Sequence, residues 1–147
     1  MMLLPRRALL AIAAVVDVAV HARPTPVAAK ALAARHELPP RHLETLLQQL
    51  VRAKILKGVR GPRGGYELAR ERRRISVGDI VRAAHADPEA GMDGASRLID
   101  DVIAPVVSEA GAGFLAALDK ICVDDLCNRA QSGAVFEKLD TGSDFTI

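Results

Sequence analysis

The sequence is poor in aromatic residues: it has no tryptophan, one tyrosine and three phenylalanines among 147 residues. Half of the residues are nevertheless hydrophobic, so the core has to be built from alanine, leucine, valine and isoleucine. A core of small and aliphatic side chains favours helices. The chain is long enough for one domain with its own core and a modest extension. We therefore expect a mainly helical protein.

The sequence also lacks the residue groupings that enzymes use. It shows no Ser/His/Asp or Cys/His arrangement, no pair of carboxylates and no cluster of ligands with metal-site spacing. The glycine-rich segment at residues 60–65 is followed by a tyrosine and a predicted strand. A phosphate-binding loop of the nucleotide-binding kind would instead end in Gly-Lys-Ser/Thr and open a helix. We predict that the chain is not an enzyme and holds no metal ion.

No hydrophobic run near the N-terminus is long enough to cross a bilayer. Residues 8–20 are apolar and follow Arg6 and Arg7, which imitates a secretory signal. A bilayer span needs about 20 residues, and Asp17 inside the run would be costly to bury in lipid. We therefore interpret residues 6–21 as a core helix of a cytoplasmic protein with no membrane partner. Its inner face is predicted to carry Leu9, Ile12, Val16 and Val20.

The charges are distributed unevenly along the chain. The net charge is only +2, but residues 30–82 contain thirteen Lys/Arg and five Asp/Glu, whereas residues 83–147 contain four and twelve. A basic region attracts a polyanion, and an acidic region avoids one. The pattern predicts a nucleic-acid contact confined to the middle of the chain; the alternative is an ordinary solvated surface.

The middle of the chain contains a strongly amphipathic helix. Pro39 and Pro40 suit a first helical turn, where a missing N–H does no harm. Leu43, Leu46, Leu47 and Leu50 then form one apolar stripe. The opposite side carries the polar residues Arg41, His42, Glu44, Thr45, Gln48, Gln49 and Arg52.

The flanking segments complete the pattern of a winged helix-turn-helix. Residues 27–36 are predicted to form a short helix with Val27, Ala31 and Ala34 inward and Lys30 and Arg35 outward. The turn that follows has the length of a helix-turn-helix, although it contains no glycine. After the amphipathic helix, residues 55–59 and 66–68 are predicted strands of a hairpin, or wing. Between them lie two cations and three glycines, which allow a close backbone approach to DNA. These cations are Arg60 and Arg63.

Two further helices are predicted after the wing. Ser76 and Asp79 have the spacing of a capping box, which opens a helix through Ala84 with Val77, Ile80 and Val81 buried. Residues 95–120 carry an apolar stripe too wide for a small domain to cover, so we expect this helix to pack against its own copy. Pro105 predicts a bent or two-part helix. The expected dimer interface consists of Leu98, Val102, Val106, Ala110, Phe114 and Leu118.

These motifs resemble the Rrf2 family of bacterial winged helix-turn-helix transcription regulators. The most specific part is the wing, Val59-Arg-Gly-Pro-Arg-Gly-Gly-Tyr66. Asp17-Val-Ala-Val-His21, His42-Leu-Glu44, Ile75-Ser-Val-Gly-Asp-Ile80 and Ile121-Cys-Val-Asp-Asp-Leu126 also match, so the resemblance covers about residues 6–130. It implies a homodimer that binds a partly palindromic operator, usually as a repressor and sometimes as an activator.

The expected DNA contacts follow from side-chain chemistry. Arg41 can bind a guanine edge or a phosphate. Glu44 either accepts from a cytosine amino group or complements the dipole at the helix N-terminus, and the resemblance favours base readout. Arg60 and Arg63 suit a narrow minor groove, and the basic run at residues 70–74 adds salt-sensitive affinity. The predicted DNA-binding residues are Arg7, Lys30, Arg41, His42, Glu44, Thr45, Gln48, Arg60, Arg63, Gly64, Gly65 and Tyr66.

Cysteine is scarce, and this bears on the cofactor. Cluster-binding members of the family carry three closely spaced cysteines before the dimerisation helix, but residues 84–97 contain none. The chain has only Cys122, expected at a helix N-cap, and Cys127, expected one turn later. Two thiols cannot complete a four-coordinate site, so we predict no iron–sulfur cluster and no other cofactor. Both cysteines are either small buried hydrophobes or thiol redox sensors.

The predicted organisation has four parts. Residues 1–86 form the winged helix-turn-helix domain, 87–94 a loop, 95–131 the dimerisation helix and a terminal helix, and 132–147 a tail expected to be flexible. The predicted function is sequence-specific regulation of transcription, with repression as the main hypothesis, by a homodimer bound to double-stranded DNA. The alternatives are a thiol-based redox regulator using Cys122 and Cys127, and a winged-helix module that binds a protein in place of DNA.

Overall fold

The computed structural model describes residues 3–85 and 96–137. A 3-10 turn, Arg72–Arg74, follows the wing, and a π-helical segment, Ile99–Ile103, leads into the longest C-terminal helix. The predicted fold class, mainly helical with one two-stranded antiparallel wing, is confirmed. The predicted loop at residues 87–94 lies outside the described residues. The helices and strands are α1 (Arg6–His21), α2 (Ala29–Arg35), α3 (Pro40–Arg52), β1 (Leu56–Val59), β2 (Gly65–Leu68), α4 (Val77–Ala84), α5 (Ala104–Asp119) and α6 (Val123–Ser132).

The core is aliphatic, and α3 contributes four leucines to it. This helix packs against α1, α2, α4 and β1. All the leucines of its predicted stripe are at most 2% exposed, and burial of each contributes about 1.5–3 kcal/mol. Burial of the leucines therefore directs the polar face of α3 to the solvent. The buried leucines are Leu43, Leu46, Leu47 and Leu50.

The inner face of α1 differs from the expectation. Leu9 is exposed, and Ile12 and Val20 are only half-buried. The buried face is formed mainly by small residues, which allow α3, α4 and α6 to approach closely. Because α1 is apolar on several sides, periodicity alone did not identify the side that the neighbouring helices cover. The buried residues of α1 are Ala8, Ala11, Ala14, Val15, Val16, Asp17 and Val18.

The start of α2 also differs from the prediction, because the helix begins at Ala29 and not at residue 27. Val27 instead forms an antiparallel bridge with Tyr66 of β2. The Tyr66 N–H donates to the Val27 carbonyl at 2.8 Å, and the Val27 N–H donates back at 3.0 Å. The wing is therefore attached by backbone hydrogen bonds to the segment that enters α2.

The turn between α2 and α3 contains no glycine, and Glu37 occupies the position at the end of α2 that glycine often takes. This residue adopts a left-handed conformation with φ of 51°. The N–H of Leu38 donates to the carbonyl of Ala33 at 3.0 Å, which closes the end of α2 as in a Schellman motif. The two helices are thus joined by a short, hydrogen-bonded turn, as the helix-turn-helix prediction required.

The long C-terminal helix has the predicted irregularity around Pro105. The N–H of Ala104 donates to the carbonyl of Ile99, five residues back. This i→i−5 pattern widens the turn immediately before Pro105, whose ring would clash with the preceding turn of a regular α-helix. The irregularity therefore takes the form of a π-helical segment followed by α5.

Several contacts attach the C-terminal part to the first domain. Across a short backbone bridge, Val77 donates to Ile121 at 2.8 Å and Val123 donates to Ile75 at 2.9 Å. The predicted capping box of α4 is present, with the Asp79 N–H 3.0 Å from the hydroxyl oxygen of Ser76. The two backbone hydrogen bonds hold the start of α6 against the start of α4.

The predicted tail, residues 132–147, contains a packed residue. Phe136 is half-buried, and its ring meets that of His21 edge-to-face at a centroid distance of 4.9 Å. This contact could not be predicted from a local sequence pattern, because it joins residues from opposite ends of the chain.

Candidate nucleic-acid interface

The outward face of α3 carries the predicted recognition residues. Arg41, His42, Glu44, Thr45 and Gln48 are all exposed. Their opposite neighbours on the helix are the buried leucines of the core, so this polar face is held in one orientation. A helix with such a face suits the major groove of DNA, where donors and acceptors of the bases are accessible.

Glu44 lies beyond the first turn of α3. The helix begins at Pro40, with Pro39 as its N-cap, and its first turn contains no acidic residue. The favourable effect of a carboxylate on the helix dipole is confined to the first turn. The dipole therefore explains less of the presence of Glu44 than the sequence pattern suggested.

Arg7 is placed differently from the exposed residues of α3. Its side chain is half-buried and donates from a terminal guanidinium nitrogen to the Gln49 side-chain oxygen at 2.7 Å. This contact joins the start of α1 to the recognition helix. Lys30, by contrast, is exposed near the start of α2.

The wing is a regular hairpin with Leu56 opposite Leu68 and Val59 opposite Gly65. Its tip turns at Gly61, which has φ of +119° and thus a conformation that favours glycine. Arg60 and Arg63 flank this glycine and are exposed. The two predicted wing cations are therefore presented at the tip of the hairpin.

The other predicted wing residues shape the hairpin. A Cβ atom on Gly64 would overlap the carbonyl oxygen of Val59, and one on Gly65 would overlap the carbonyl oxygen of Val27. Tyr66 is half-buried and uses its backbone to bind Val27. The glycines are needed because two backbones pass each other closely, and this requirement holds with or without DNA.

The cations near α3 and the wing fall into two groups. In the part of the chain that the structure describes, no carboxylate oxygen lies within 4.0 Å of Arg41, Arg60 or Arg63. The basic run after the wing is instead paired: Arg72 and Arg73 lie 2.9 and 3.6 Å from carboxylate oxygens of Asp124. Arg41 of α3 and Arg60 and Arg63 of the wing tip thus belong to the exposed cations that no carboxylate of the described residues pairs within 4.0 Å.

Sequence reasoning missed a buried charge cluster beneath the helix-turn-helix. Asp17 of α1 is 0% exposed, and its carboxylate accepts from Arg35 at 2.8 and 2.6 Å. Nε2 of His36 and Nδ1 of His21 lie 2.7 and 3.1 Å from its oxygens. Arg35 was expected to point outward, but it turns inward because only a cation with several donors can satisfy this buried carboxylate. The available signal was an acid in the middle of an apolar helix.

The hydrogen bonds of this cluster keep Asp17 ionised. Burial alone would raise the pKa of the carboxyl, since it penalises the charged form. The hydrogen bonds from His36 and Arg35, together with the charge of Arg35, outweigh burial and hold the pKa of Asp17 below its ordinary value. The cluster is therefore an ionic contact between α1 and the end of α2.

The predicted dimer residues divide into an exposed and a half-buried set. Leu98, Val102 and Val106 are 61%, 53% and 64% exposed, and Ala110 is exposed as well. Phe114 and Leu118 are half-buried in the same chain. By length and composition the helix Ile99–Asp119 could also cross a membrane. That criterion is weak for a single helix, since a helix that packs on a protein surface has the same composition.

The two cysteines have different surroundings. Cys127 is fully buried, as expected of a small hydrophobe, and burial raises the pKa of its thiol. Cys122 is the predicted N-cap of α6 but is only half-buried, and its thiol donates to the Asp125 carboxylate at 3.3 Å. Within residues 3–85 and 96–137, no three His, Cys, Asp or Glu side chains are grouped as metal ligands.

A polar-faced recognition helix, a hydrogen-bonded turn and an arginine-tipped wing define a winged helix-turn-helix DNA-binding protein. Residues 4–129 match the model of the Rrf2 family, which is described as iron-dependent transcriptional regulators. The chain belongs to the Rrf2 family of transcriptional regulators. It is thus a DNA-binding regulator and not an enzyme, as predicted.

Individual relatives agree with this assignment. An HTH-type transcriptional regulator of Synechocystis sp. is 37% identical over 123 residues, covering 81% of this chain and 83% of the relative. The regulator IscR of Serratia proteamaculans is 30% identical over 112 residues, with coverage of 71% and 68%.

Solved structures share the fold. The structure of T. potens IscR aligns with this one at a TM-score of 0.70. The two sequences are 31% identical, and the alignment covers 90% of each chain. That of CymR, described as the global cysteine regulator of B. subtilis, is 22% identical and covers 88% of this chain and 98% of CymR with a TM-score of 0.65. The likeness to CymR concerns the fold alone.

Proposed function

We propose that the protein is a transcriptional repressor that binds a pseudo-palindromic operator as a homodimer, in the bacterial cytoplasm and without an iron–sulfur cluster. The observation that carries the proposal is the distribution of unpaired charge. Arg41 of α3 and Arg60 and Arg63 of the wing are exposed without a carboxylate partner among the described residues, whereas Arg72 and Arg73 are paired with Asp124. Cations left unpaired at these positions suit a helix in the major groove and a wing in the adjacent minor groove.

Sequence discrimination is assigned to α3. Arg41 can donate two hydrogen bonds to a guanine edge, and Glu44 can accept from a cytosine amino group. The carboxylate of Glu44 would repel phosphates and unsuitable base edges, so its exposed position beyond the first turn is useful only if it selects a base. His42, Thr45 and Gln48 supply further donors on the same exposed face.

Dimerisation is assigned to the long C-terminal helix. Leu98, Val102 and Val106 are each more than half exposed within one chain. An exposed apolar stripe of this kind marks an interface, and a two-fold contact with the same stripe of a second copy would cover it. A symmetric dimer in turn presents two recognition helices to two half-sites, which is the reason for proposing a palindromic operator.

The residues present do not fit an iron–sulfur cluster. A cluster is held by several thiolates, but residues 84–97 contain no cysteine. Cys127 is buried in the core and its pKa is raised, which disfavours the thiolate that a metal requires. The same burial argues against a redox mechanism in which Cys127 reacts. Iron and acid-labile sulfide should be absent from protein purified without oxygen; stoichiometric amounts of both would contradict this part of the proposal.

The proposed function is tested by selection of duplexes from a random pool at low and at near-physiological salt. We expect enrichment of a pseudo-palindrome whose half-sites lie about 10 base pairs apart or a multiple of that distance. Binding should weaken steeply with salt, because arginine contacts to phosphate release counterions. A protein that remains monomeric and binds no duplex even in dilute buffer would refute the proposal.

Repression is tested separately from binding. A promoter that contains the selected operator should direct less transcription in a purified system when the protein is added. Operator occupancy that raises transcription would assign the protein as an activator while leaving the DNA-binding part of the proposal intact.

A further inference from the structure

We propose that Asp17 is a positioning residue for DNA binding, which fixes the helix-turn-helix by holding the end of α2 against α1. The inference rests on the proposed operator binding. Asp17 is fully buried, so it would act through Arg35 and His36 and not by touching DNA.

The geometry of the cluster is restrictive. Nε and a terminal nitrogen of Arg35 bind the two carboxylate oxygens of Asp17 at 2.8 and 2.6 Å. A bidentate pair of this kind fixes orientation as well as distance. Nε2 of His36 binds one of the same oxygens at 2.7 Å, and His21 approaches the other at 3.1 Å. Both oxygens are thus engaged, and the residues that bind them have little freedom to shift.

The cluster lies at the entrance to the turn. Arg35 is the last residue of α2, and His36 is its C-cap. Glu37 then takes the left-handed conformation that reverses the chain, and α3 begins at Pro40. The ionic contact with α1 therefore determines where the turn starts.

The start of α3 has few anchors of its own. Its N-cap is a proline, and no side chain caps its first turn. The leucines of α3 fix the inward face of the helix, but the position of its first turn depends on the preceding segment. Arg41, His42 and Glu44 lie in or just after this turn. A small displacement at the end of α2 would thus move the residues that contact bases.

Replacement of Asp17 by asparagine tests this role while preserving side-chain size. The neutral amide would remove the negative charge that the Arg35 guanidinium binds in the buried site of Asp17, so we expect the end of α2 to shift. Operator affinity, measured by fluorescence anisotropy at a temperature where circular dichroism shows every variant to be folded, should fall at least about tenfold. The dimer mass should be unchanged.

Val18→Ala is the matched control. Val18 is adjacent on α1 and 0% exposed, but it makes no polar contact with the turn. It should lower Tm through a cavity in the core, while operator affinity changes less than about threefold. If Val18→Ala reduced affinity as much as Asp17→Asn at an equal loss of Tm, destabilisation alone would account for the effect and the proposal would fail.

A second variant keeps the test decisive if Asp17→Asn does not fold, and a double-mutant cycle adds a further test if it does. His36→Phe retains the ring but removes one hydrogen bond to the carboxylate, and it should reduce affinity about three- to tenfold. Arg35→Gln and Asp17→Asn should be non-additive, since both act on one contact. Wild-type affinity in His36→Phe, or full additivity of the pair, would overturn the positioning role. Failure of the wild-type protein to bind any duplex would instead refute the proposed function.

Discussion

Helices α3 and α5 both carry an apolar stripe with helical spacing, but they differ in whether that stripe is buried within the chain. α3 buries its leucines to 2% exposure or less and shows polar side chains to solvent. In the C-terminal helix the apolar side chains are instead exposed: Leu98, just before the π-helical segment, is 61% exposed, and Val106 of α5 is 64% exposed. An amphipathic pattern alone therefore does not indicate which face is covered within the chain.

The difference in burial indicates which kind of partner the exposed face of each helix suits. Around α3 the core is complete, because α1, α2, α4 and β1 cover its apolar side. Its remaining polar face lies in the basic part of the chain and suits a polyanion. α5 lies in the acidic part and presents apolar side chains, so it suits a second protein surface. The two faces can thus be disrupted independently.

The largest effect is expected from a charge on the exposed face of the C-terminal helix. Val106→Asp would place an unpaired carboxylate from each copy in an apolar contact, and each such carboxylate costs several kcal/mol. We expect the dimer to weaken at least about a hundredfold. Sedimentation velocity at micromolar concentrations should show a folded monomer, and operator binding should be lost with the dimer.

Ser108→Asp is the control for Val106→Asp. Ser108 is exposed on the same helix but outside the expected apolar stripe. The same charge at this position should leave the dimer intact. A dimeric Val106→Asp protein would show that this face is not the interface.

The next largest effect concerns the wing. Arg60→Ala removes an exposed cation that has no carboxylate within 4.0 Å in the described ranges, and it should reduce operator affinity about tenfold or more. Arg73→Ala removes a cation that is paired with Asp124, and it should cost less than about threefold. The losses of operator affinity are compared by anisotropy titrations of both variants, and a measurement of the dimer mass checks that each variant is still dimeric. Equal losses would mean that the wing tip has no special role.

A smaller and more selective effect is expected at Glu44. Glu44→Ala should leave affinity for the best operator within about threefold but relax discrimination at one base pair per half-site, by roughly 1–3 kcal/mol. The discrimination is measured by competition with operator duplexes that each differ from the best operator at one position. Lys30→Ala, an exposed cation on α2, should instead weaken all duplexes equally and reduce the salt slope by about one. Unchanged discrimination in Glu44→Ala would refute base readout by this residue.

Local chemistry made much of the fold predictable from sequence. The leucine spacing of α3, the Ser76–Asp79 capping box, the Gly-rich hairpin and the disturbance before Pro105 each depend on residues close together in the chain. Such interactions leave a pattern that can be recognised without the structure. The motif of the wing was specific enough to indicate the family.

The parts that could not be predicted depend on distant partners. The ion pair of Asp17 with Arg35 joins residues 18 positions apart, and the contact of His21 with Phe136 joins opposite ends of the chain. The buried side of α1 is decided by helices that pack on it, because several of its sides are apolar. For the same reason the sequence could assign Arg35 only by its local helix face, which pointed outward.

The smallest effect is expected at the contact between α4 and α5, where Arg82 binds both oxygens of Asp119 at 2.7 and 2.8 Å. The hydrogen bond from Arg82 holds the pKa of Asp119 below its ordinary value of 3.8. The contact therefore stabilises the folded state above that pH, and this contribution is lost as the pH falls through the lowered pKa. Because the pair is exposed, Asp119→Asn should lower Tm at pH 7 by at most about 3 °C.

The pH dependence of Tm tests whether Asp119 stabilises the fold through its charge. The difference in Tm between wild type and Asp119→Asn should shrink as the pH is lowered from 7 to below 3.8, because the contribution of the charged carboxylate is lost as the pH falls through its lowered pKa. Asp101→Asn is the control: its carboxylate is exposed and lies 3.7 Å from Arg97 one turn away, and its loss should not change Tm measurably. Asp119 also lies where a Cβ atom on Gly78 would be placed. A Tm difference that stays constant with pH would mean that the charge of Asp119 does not account for its contribution to stability.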